Sequence, residues 1–118
     1  MRVRDKGRHG EEIAARFLAL CGTTVLQRNV RHADVEVDLI GRDGDCLVLV
    51  EVKLRTHRVV VARDALGWSQ ERRLLRAAHA CLAGHPWAAQ VRVDLIAVDV
   101  DAGAGSLHLE HVRGVLPR

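Results

Sequence analysis

Between Val35 and Lys53 the chain alternates along Val35-Glu36-Val37-Asp38-Leu39-Ile40, passes Arg42-Asp43-Gly44-Asp45, and resumes as Leu47-Val48-Leu49-Val50-Glu51-Val52-Lys53. Period-two alternation with β-branched residues predicts two strands. The Asp-Gly doublet predicts a tight hairpin between them. A two-residue turn centred on Asp43-Gly44 sets Asp38 opposite Leu49 and Glu36 opposite Glu51. Residues two apart share a face, so Glu36, Asp38, Ile40, Leu47, Leu49, Glu51 and Lys53 project one way. Val35, Val37, Leu39, Cys46, Val48, Val50 and Val52 project the other way, on a wholly apolar face. A three-residue turn would reverse the faces of one strand.

The first of these faces changes from apolar to charged at one end. Asp38 and Glu51 become diagonal neighbours within reach of one small ion, and Glu36 opposite Glu51 would repel it. Carboxylates at close quarters suit a hard, oxygen-seeking cation such as Mg²⁺, which takes one or two carboxylates plus water and phosphate. Lys53 lies two residues past Glu51 on the same face, placed to hold an attacking water or a phosphate oxygen. The competing reading is a surface hairpin in which Lys53 only pairs with Glu51. Of the 18 lysines and arginines, Lys6 and Lys53 alone are lysines. In a chain that uses arginine for its other cations, a compact ammonium in Glu-x-Lys points to a place that needs one.

At 118 residues the chain is expected to form one domain with a substantial core. Apolar residues make up 48% and charged residues 28%, as in soluble globular proteins. The net charge of +3 permits an anionic partner without requiring one. Phe17, Trp68 and Trp87 are the only aromatic residues of the Phe/Trp/Tyr type, which argues against a base-stacking platform and leaves backbone recognition of a duplex open. Cys21, Cys46 and Cys81 are far apart and each lies in an apolar run. That excludes a zinc ribbon or Cys-x-x-Cys redox motif and predicts buried thiols in a reducing compartment. No apolar run reaches membrane-spanning length, and residues 1–8 lack the apolar segment of a signal peptide. A cytoplasmic location is expected.

Residues 1–9 read as a basic arm, contacting phosphates or simply frayed. Gly10 to Cys21 reads as an amphipathic helix with Ile13, Ala14, Phe17, Leu18, Leu20 and Cys21 in one stripe. Glu12 points away and can pair with Arg16, while Glu11 sits at the stripe's edge, looking over the core. Gly22 ends the helix. A strand over Thr23–Asn29 follows, and Arg28, Arg31 and His32 form a cationic patch. Residues 54–67 have no clean period and read as a mobile loop or a short extension, carrying Arg55, His57, Arg58 and Arg63. Basic groups beside carboxylates are what a phosphodiester site needs. Trp68 to Ala83 reads as a second helix, with Leu74, Leu75, Ala78, Cys81 and Leu82 inward. Arg72, Arg76 and His79 lie on its outer face, as a duplex contact or a solvated surface. Val91 to Val100 is an apolar strand interrupted by Asp94, and Ser106 to Val112 is the last strand. His108 and His111 fall on opposite faces there and cannot share a metal.

The segments Lys6-Gly7-Arg8-His9-Gly10-Glu11-Glu12, Arg28-Asn29-Val30-Arg31, Glu36-Val37-Asp38-Leu39-Ile40, Val50-Glu51-Val52-Lys53-Leu54-Arg55 and Val93-Asp94-Leu95-Ile96-Ala97-Val98 resemble the YraN-like family. These are small bacterial proteins predicted to be nucleases of the restriction-endonuclease-like superfamily, alongside archaeal Holliday-junction resolvases. The resemblance covers nearly the whole chain, most strongly residues 6–55. It implies an α/β fold with an αβββαβ core, a mixed central sheet and flanking helices. It also implies the PD-(D/E)xK site: Asp38 and Glu51 as acidic ligands of Mg²⁺ or Mn²⁺ with the Val52 carbonyl, Lys53 as the motif lysine, and Glu11 as the first-helix acid. The implied activity is metal-dependent cleavage of DNA, branched DNA included, by a homodimer as in resolvase-like relatives. Phosphate contacts are expected from Arg28, Arg31, Arg55, Arg58, Arg72 and Arg76. Three positions depart from the family pattern: Val35 stands for the usual Gly, no Pro precedes Asp38, and Gln70 stands where relatives often carry Lys. A non-catalytic nucleic-acid-binding protein that retains the fold is the alternative. An interaction protein with a structural acidic cluster is a third possibility.

Overall fold

The structure, a computed structural model, describes residues 3–32, 35–55 and 68–116. In chain order the elements are α1 (Val3–Leu20), β1 (Thr24–His32), β2 (Val35–Asp43), β3 (Cys46–Arg55), α2 (Trp68–Ala83), β4 (Gln90–Asp101) and β5 (Ser106–Leu116). The five strands form one sheet in the order β1-β2-β3-β4-β5. All neighbours are antiparallel except β3 and β4, which run parallel. Two consecutive parallel strands need a crossover, and α2 supplies it. This is the mixed α/β sheet with the αβββαβ order implied by the resemblance.

The helices cover opposite faces, which divides the core in two. Under α2, Leu74, Ala77, Ala78 and Cys81 pack on Ile40, Leu47, Leu49, Val93, Leu95 and Ala97. Under α1, Ala14, Ala15 and Leu18 pack on Leu39, Cys46, Val48, Val50, Ile96 and Val98. β3 and β4 are therefore buried on both faces, which is why Cys46–Val50 and Val93–Val98 read as almost unbroken apolar runs. α1 ends where the Thr23 N–H reaches the Leu18 carbonyl at 2.9 Å, with Gly22 at φ +93°, the left-handed cap that favours glycine.

Several expectations are corrected. The helix starts at Val3, so residues 3–9 are its first turns and not an arm. Leu20, the last residue of α1, is 88% exposed and Cys21 just past the helix is exposed too, while Ala15 is buried on the inward face instead. Cys46 and Cys81 are buried free thiols as expected. β5 continues four residues beyond Val112, and Asp94 lies inside β4, where the ladder with β5 shifts register between Val93 and Leu95. The hairpin turn is centred on Gly44-Asp45, because Asp43 pairs with Cys46 and Ile40 with Leu49. Gly44 has φ +62° and occupies the first central position of the turn, which suits glycine, whereas the Asp-Gly doublet suggests glycine at the second. The register moves by two residues, an even shift that leaves β3 facing as expected. β2 does not keep its faces throughout. Leu39 joins the core under α1, but Val35 and Val37 join Ile40 under α2, so the alternation breaks at Asp38.

Candidate active site

The β2–β3 ladder runs from Asp43↔Cys46 to Leu39↔Val50 and stops there. Continuing that register sets Asp38 directly opposite Glu51, in place of the expected diagonal, and Glu36 opposite Lys53. Beyond Leu39 the strands part, and the Asp38 carboxylate fills the gap: its Oδ2 accepts the Val52 N–H at 2.8 Å. A residue's N–H and C=O point to the same edge of its strand, so the Val52 carbonyl also faces this opening. β3 continues on its other side as a regular parallel partner of β4, with Glu51↔Leu95 and Val52↔Ile96. The mouth lies at the carboxyl end of a central strand, the end of an open α/β sheet where ligands bind.

Glu51 projects toward α2 and is 7% exposed. Its Oε1 accepts from Gln70 Nε2 at 3.0 Å and lies 3.3 Å from Lys53 Nζ. Two donors thus fix one oxygen. Burial, and next the charge of Asp38, push its pKa up to about 7 despite Lys53 and Gln70. Asp38 is also raised by burial, opposed by the Val52 N–H and Lys53, with Glu36 adding repulsion. The two carboxyl groups are within hydrogen-bonding reach of each other. Like charges packed together out of water disfavour double ionisation. Glu11 approaches from the α1 side; burial and then Asp38 raise its pKa, while a hydrogen bond from Asn29 opposes the rise. Asn29 sits at φ +53° in β1, at the point level with Asp38 between the pairs Arg28↔Leu39 and Val30↔Val37. Asn tolerates this left-handed conformation better than most residues.

The sequence-expected residues therefore gather at one mouth, but not on one face. Glu51 and Lys53 stand on the α2 side, Asp38 lies in the plane of the ladder, and Glu11 comes from the α1 side. Among the described residues no three His, Cys, Asp or Glu side chains stand ready as a metal-ligand set. The donors present still fit a small hard cation: two carboxylates and a carbonyl, with water completing the shell.

The arginines divide. Arg28 is held by Glu12, which also takes Arg16 at 3.0 Å as expected. Arg55 grips Asp99 with Nε at 2.6 Å and Nη2 at 3.0 Å. Both are committed within the fold and do not project as unengaged phosphate ligands. Arg31, Arg72 and Arg76 lie on the surface, where Arg72 and Arg76 also have contacts of their own within the protein. Arg58 and the rest of the expected loop over 56–67 lie outside the described residues. Sequence reasoning treats Gln70 as a lost phosphate contact, whereas its amide orients Glu51. A polar residue in the first turn of the helix that follows Glu-x-Lys is the signal for that role.

The chain is thus a small α/β protein with an acidic mouth at the carboxyl end of its central strand. A sequence model of uncharacterised protein family UPF0102 matches residues 10–98, and the chain belongs to that family, the YraN-like group. A UPF0102 protein of Frankia casuarinae is 41% identical over 117 residues, covering 97% of this chain and 98% of the relative. One from Beutenbergia cavernae is 42% identical over 118 residues, covering 98% and 99%. One from Streptomyces griseus is 42% identical over 112 residues, covering 92% and 93%. Among the described residues no helix is long and apolar enough to cross a membrane.

Proposed function

We propose that the protein is a metal-dependent nuclease of the PD-(D/E)xK type, in the restriction-endonuclease-like superfamily, that hydrolyses phosphodiester bonds in DNA. The observation that carries this reading is the pairing of half-buried Asp38 with buried Glu51 beside Lys53, with Glu51 raised to about 7. A cation binding there displaces the proton that the pair otherwise shares, and carboxylates held at such a disadvantage mark functional sites. Asp38, Glu51 and the Val52 carbonyl would hold Mg²⁺ or Mn²⁺, which supplies positive charge opposite the phosphate.

The other parts fall to the chain's own residues. Gln70 fixes Glu51 so that its second oxygen can face the mouth. Lys53 Nζ holds the attacking water and orients it toward phosphorus. As the water oxygen bonds to phosphorus it gives up its proton to bulk water, the bond from phosphorus to the leaving sugar oxygen breaks, and that oxygen takes up a proton from solvent. Glu11 supports the hydration shell from the α1 side. Arg31, Arg72 and Arg76 hold the backbone non-specifically, so affinity falls steeply as salt rises.

Gln70 and Val35 favour a second reading, a DNA-binding protein without turnover, since an amide stands where relatives often carry an ammonium. A nicking assay on branched and linear DNA, run with Mg²⁺ and with Mn²⁺, separates the two. Cleavage lost in Asp38→Asn and Lys53→Ala supports the enzyme. Salt-sensitive binding without cleavage at any metal concentration supports the binding protein.

A further inference from the structure

Among the described residues five backbones are left-handed: those of Gly22, Gly44, Gly105, Gly114 and Asn29. Glycine adopts this conformation without steric cost, and the chain uses it at four of the five. At each of those four a Cβ would meet nothing within 4 Å, so a side chain there would have no neighbour to serve. Asn29 alone keeps a side chain, and its amide donates to the Glu11 carboxylate of α1. Glycine would meet the need of the backbone at Asn29. The amide answers a different need.

The kink explains how this bond is made. Successive side chains of a strand point to opposite faces. Arg28 is on the α1 side: it donates to Glu12 and lines the cleft between α1 and β1 with Ala15, Ala19 and Val25. In a regular strand Asn29 would then point toward α2, and Val30 back toward α1. Val30 instead packs against the core under α2. The alternation of β1 therefore breaks at Asn29, level with the break of β2 at Asp38. The left-handed residue lets two consecutive positions of one strand serve the same helix, Arg28 to Glu12 and Asn29 to Glu11. Next to Glu11, Gly10 lies close against β3: a Cβ there would stand 3.3 Å from Leu54 Cβ, one residue past Lys53. Glu11 is thus fixed between β1 and the end of β3. Its competing partner is Arg8, whose charge reaches it from one turn back on α1.

We propose that Asn29 is a positioning residue, which holds the Glu11 carboxylate on the α1 side of the mouth and away from Arg8. The proposal rests on the reading of the mouth as a cation site, in which Glu11 supports the hydration shell. The amide touches neither ion nor phosphate and acts only through Glu11. Without it Glu11 turns toward Arg8, and the water around the ion loses an acceptor. Outer groups of this kind typically change metal affinity by roughly 10- to 100-fold.

Asn29→Gly isolates the role, because glycine keeps the left-handed backbone and removes only the amide. Without metal the variant should melt no lower than the parent. Mn²⁺ binding to the full chain, measured by titration calorimetry, should weaken by roughly tenfold. In a Glu11→Ala background the same change should have no further effect, since residues that act through one another are not additive. Glu12→Gln loosens the neighbouring bond to Arg28 and should leave Mn²⁺ affinity as it is. Unchanged Mn²⁺ affinity in Asn29→Gly, a loss that persists undiminished in the Glu11→Ala background, or an Asn29→Gly protein unfolded by circular dichroism overturns the proposal. A parent that binds no Mn²⁺ removes it together with the reading beneath it. The expected pattern in a parent that cleaves no DNA leaves Asn29 in its role and strikes the nuclease reading alone.

Discussion

Asp94 is wholly buried, and donors surround it. Arg92 Nε stands at 3.0 Å, His111 Nε2 at 2.9 Å and the Gly114 N–H at 2.9 Å; Arg92 is in turn tied to Asp43 at 3.0 Å. Burial alone would raise its pKa, but these bonds outweigh burial and hold it below the usual value. Glu51 is buried and Asp38 half-buried in the same sheet, and their partners fall short: burial and mutual repulsion win, and both are raised. Asp94 ties β4 to β5, and its charge is satisfied within the fold. The mouth keeps two carboxylates under-compensated, a state that costs stability and that, in the proposed function, a bound cation would relieve.

The largest effect that would break this contrast is the loss of Asp94. Asp94→Ala leaves Arg92 and His111 facing an unfilled site, and stability should fall by about 3–5 kcal/mol in urea denaturation. A loss under about 1 kcal/mol would mean that Asp94 is no structural node. Glu51→Gln should do the reverse. It removes repulsion against Asp38, so the metal-free protein should gain on the order of 1 kcal/mol at pH 8, while Mn²⁺ no longer raises the melting temperature. A lower melting temperature without metal would place Glu51 with Asp94 as a structural charge.

The two groups should also separate along the pH axis. The folded pKa values of Glu51, Asp38 and Glu11 are raised. Their contribution is therefore full below about pH 4 and is lost as pH rises toward about 7. Asp94 is lowered, so its contribution is present above its unfolded pKa and lost as pH falls below about 4. Without divalent metal, stability should thus be greatest on the acid side, near pH 4 to 5, and decline toward pH 8. Saturating Mn²⁺ should remove that decline, and melting curves across pH check both halves. Gln70→Lys gives the smallest change: an ammonium beside Glu51 should lower its pKa and narrow the window of decline, with little change in stability at pH 5.

The carboxylates, the lysine and the alternating strands were legible in the sequence because an even error in register does not exchange faces. Glu51 and Lys53 lie together whatever the register, because residues two apart in one strand share a face. The break at Asp38 was not legible. It depends on the side chain replacing a ladder partner at Val52, which no alternation pattern records. Asp94 reads in sequence only as a polar residue in an apolar strand, since its partners Arg92, His111 and Gly114 are brought together by β5. Arg28 and Arg55 look like open cations because Glu12 and Asp99 are distant in sequence. Local patterns show which side chains are charged, and the tertiary fold decides which of those charges are already answered.

The central position of β3 also matters while the chain is being made. Its neighbour β2 precedes it, but β4 follows only after the crossover, roughly 40 residues later. At about 5–20 residues per second, the apolar edge of β3 waits about 2 to 8 seconds for its partner. A nascent strand left open in this way is an aggregation hazard. Glu51 and Lys53, where the apolar run stops, are the kind of charged gatekeepers that limit it. The charges that form the mouth in the folded protein would thus also guard the strand before the fold is complete.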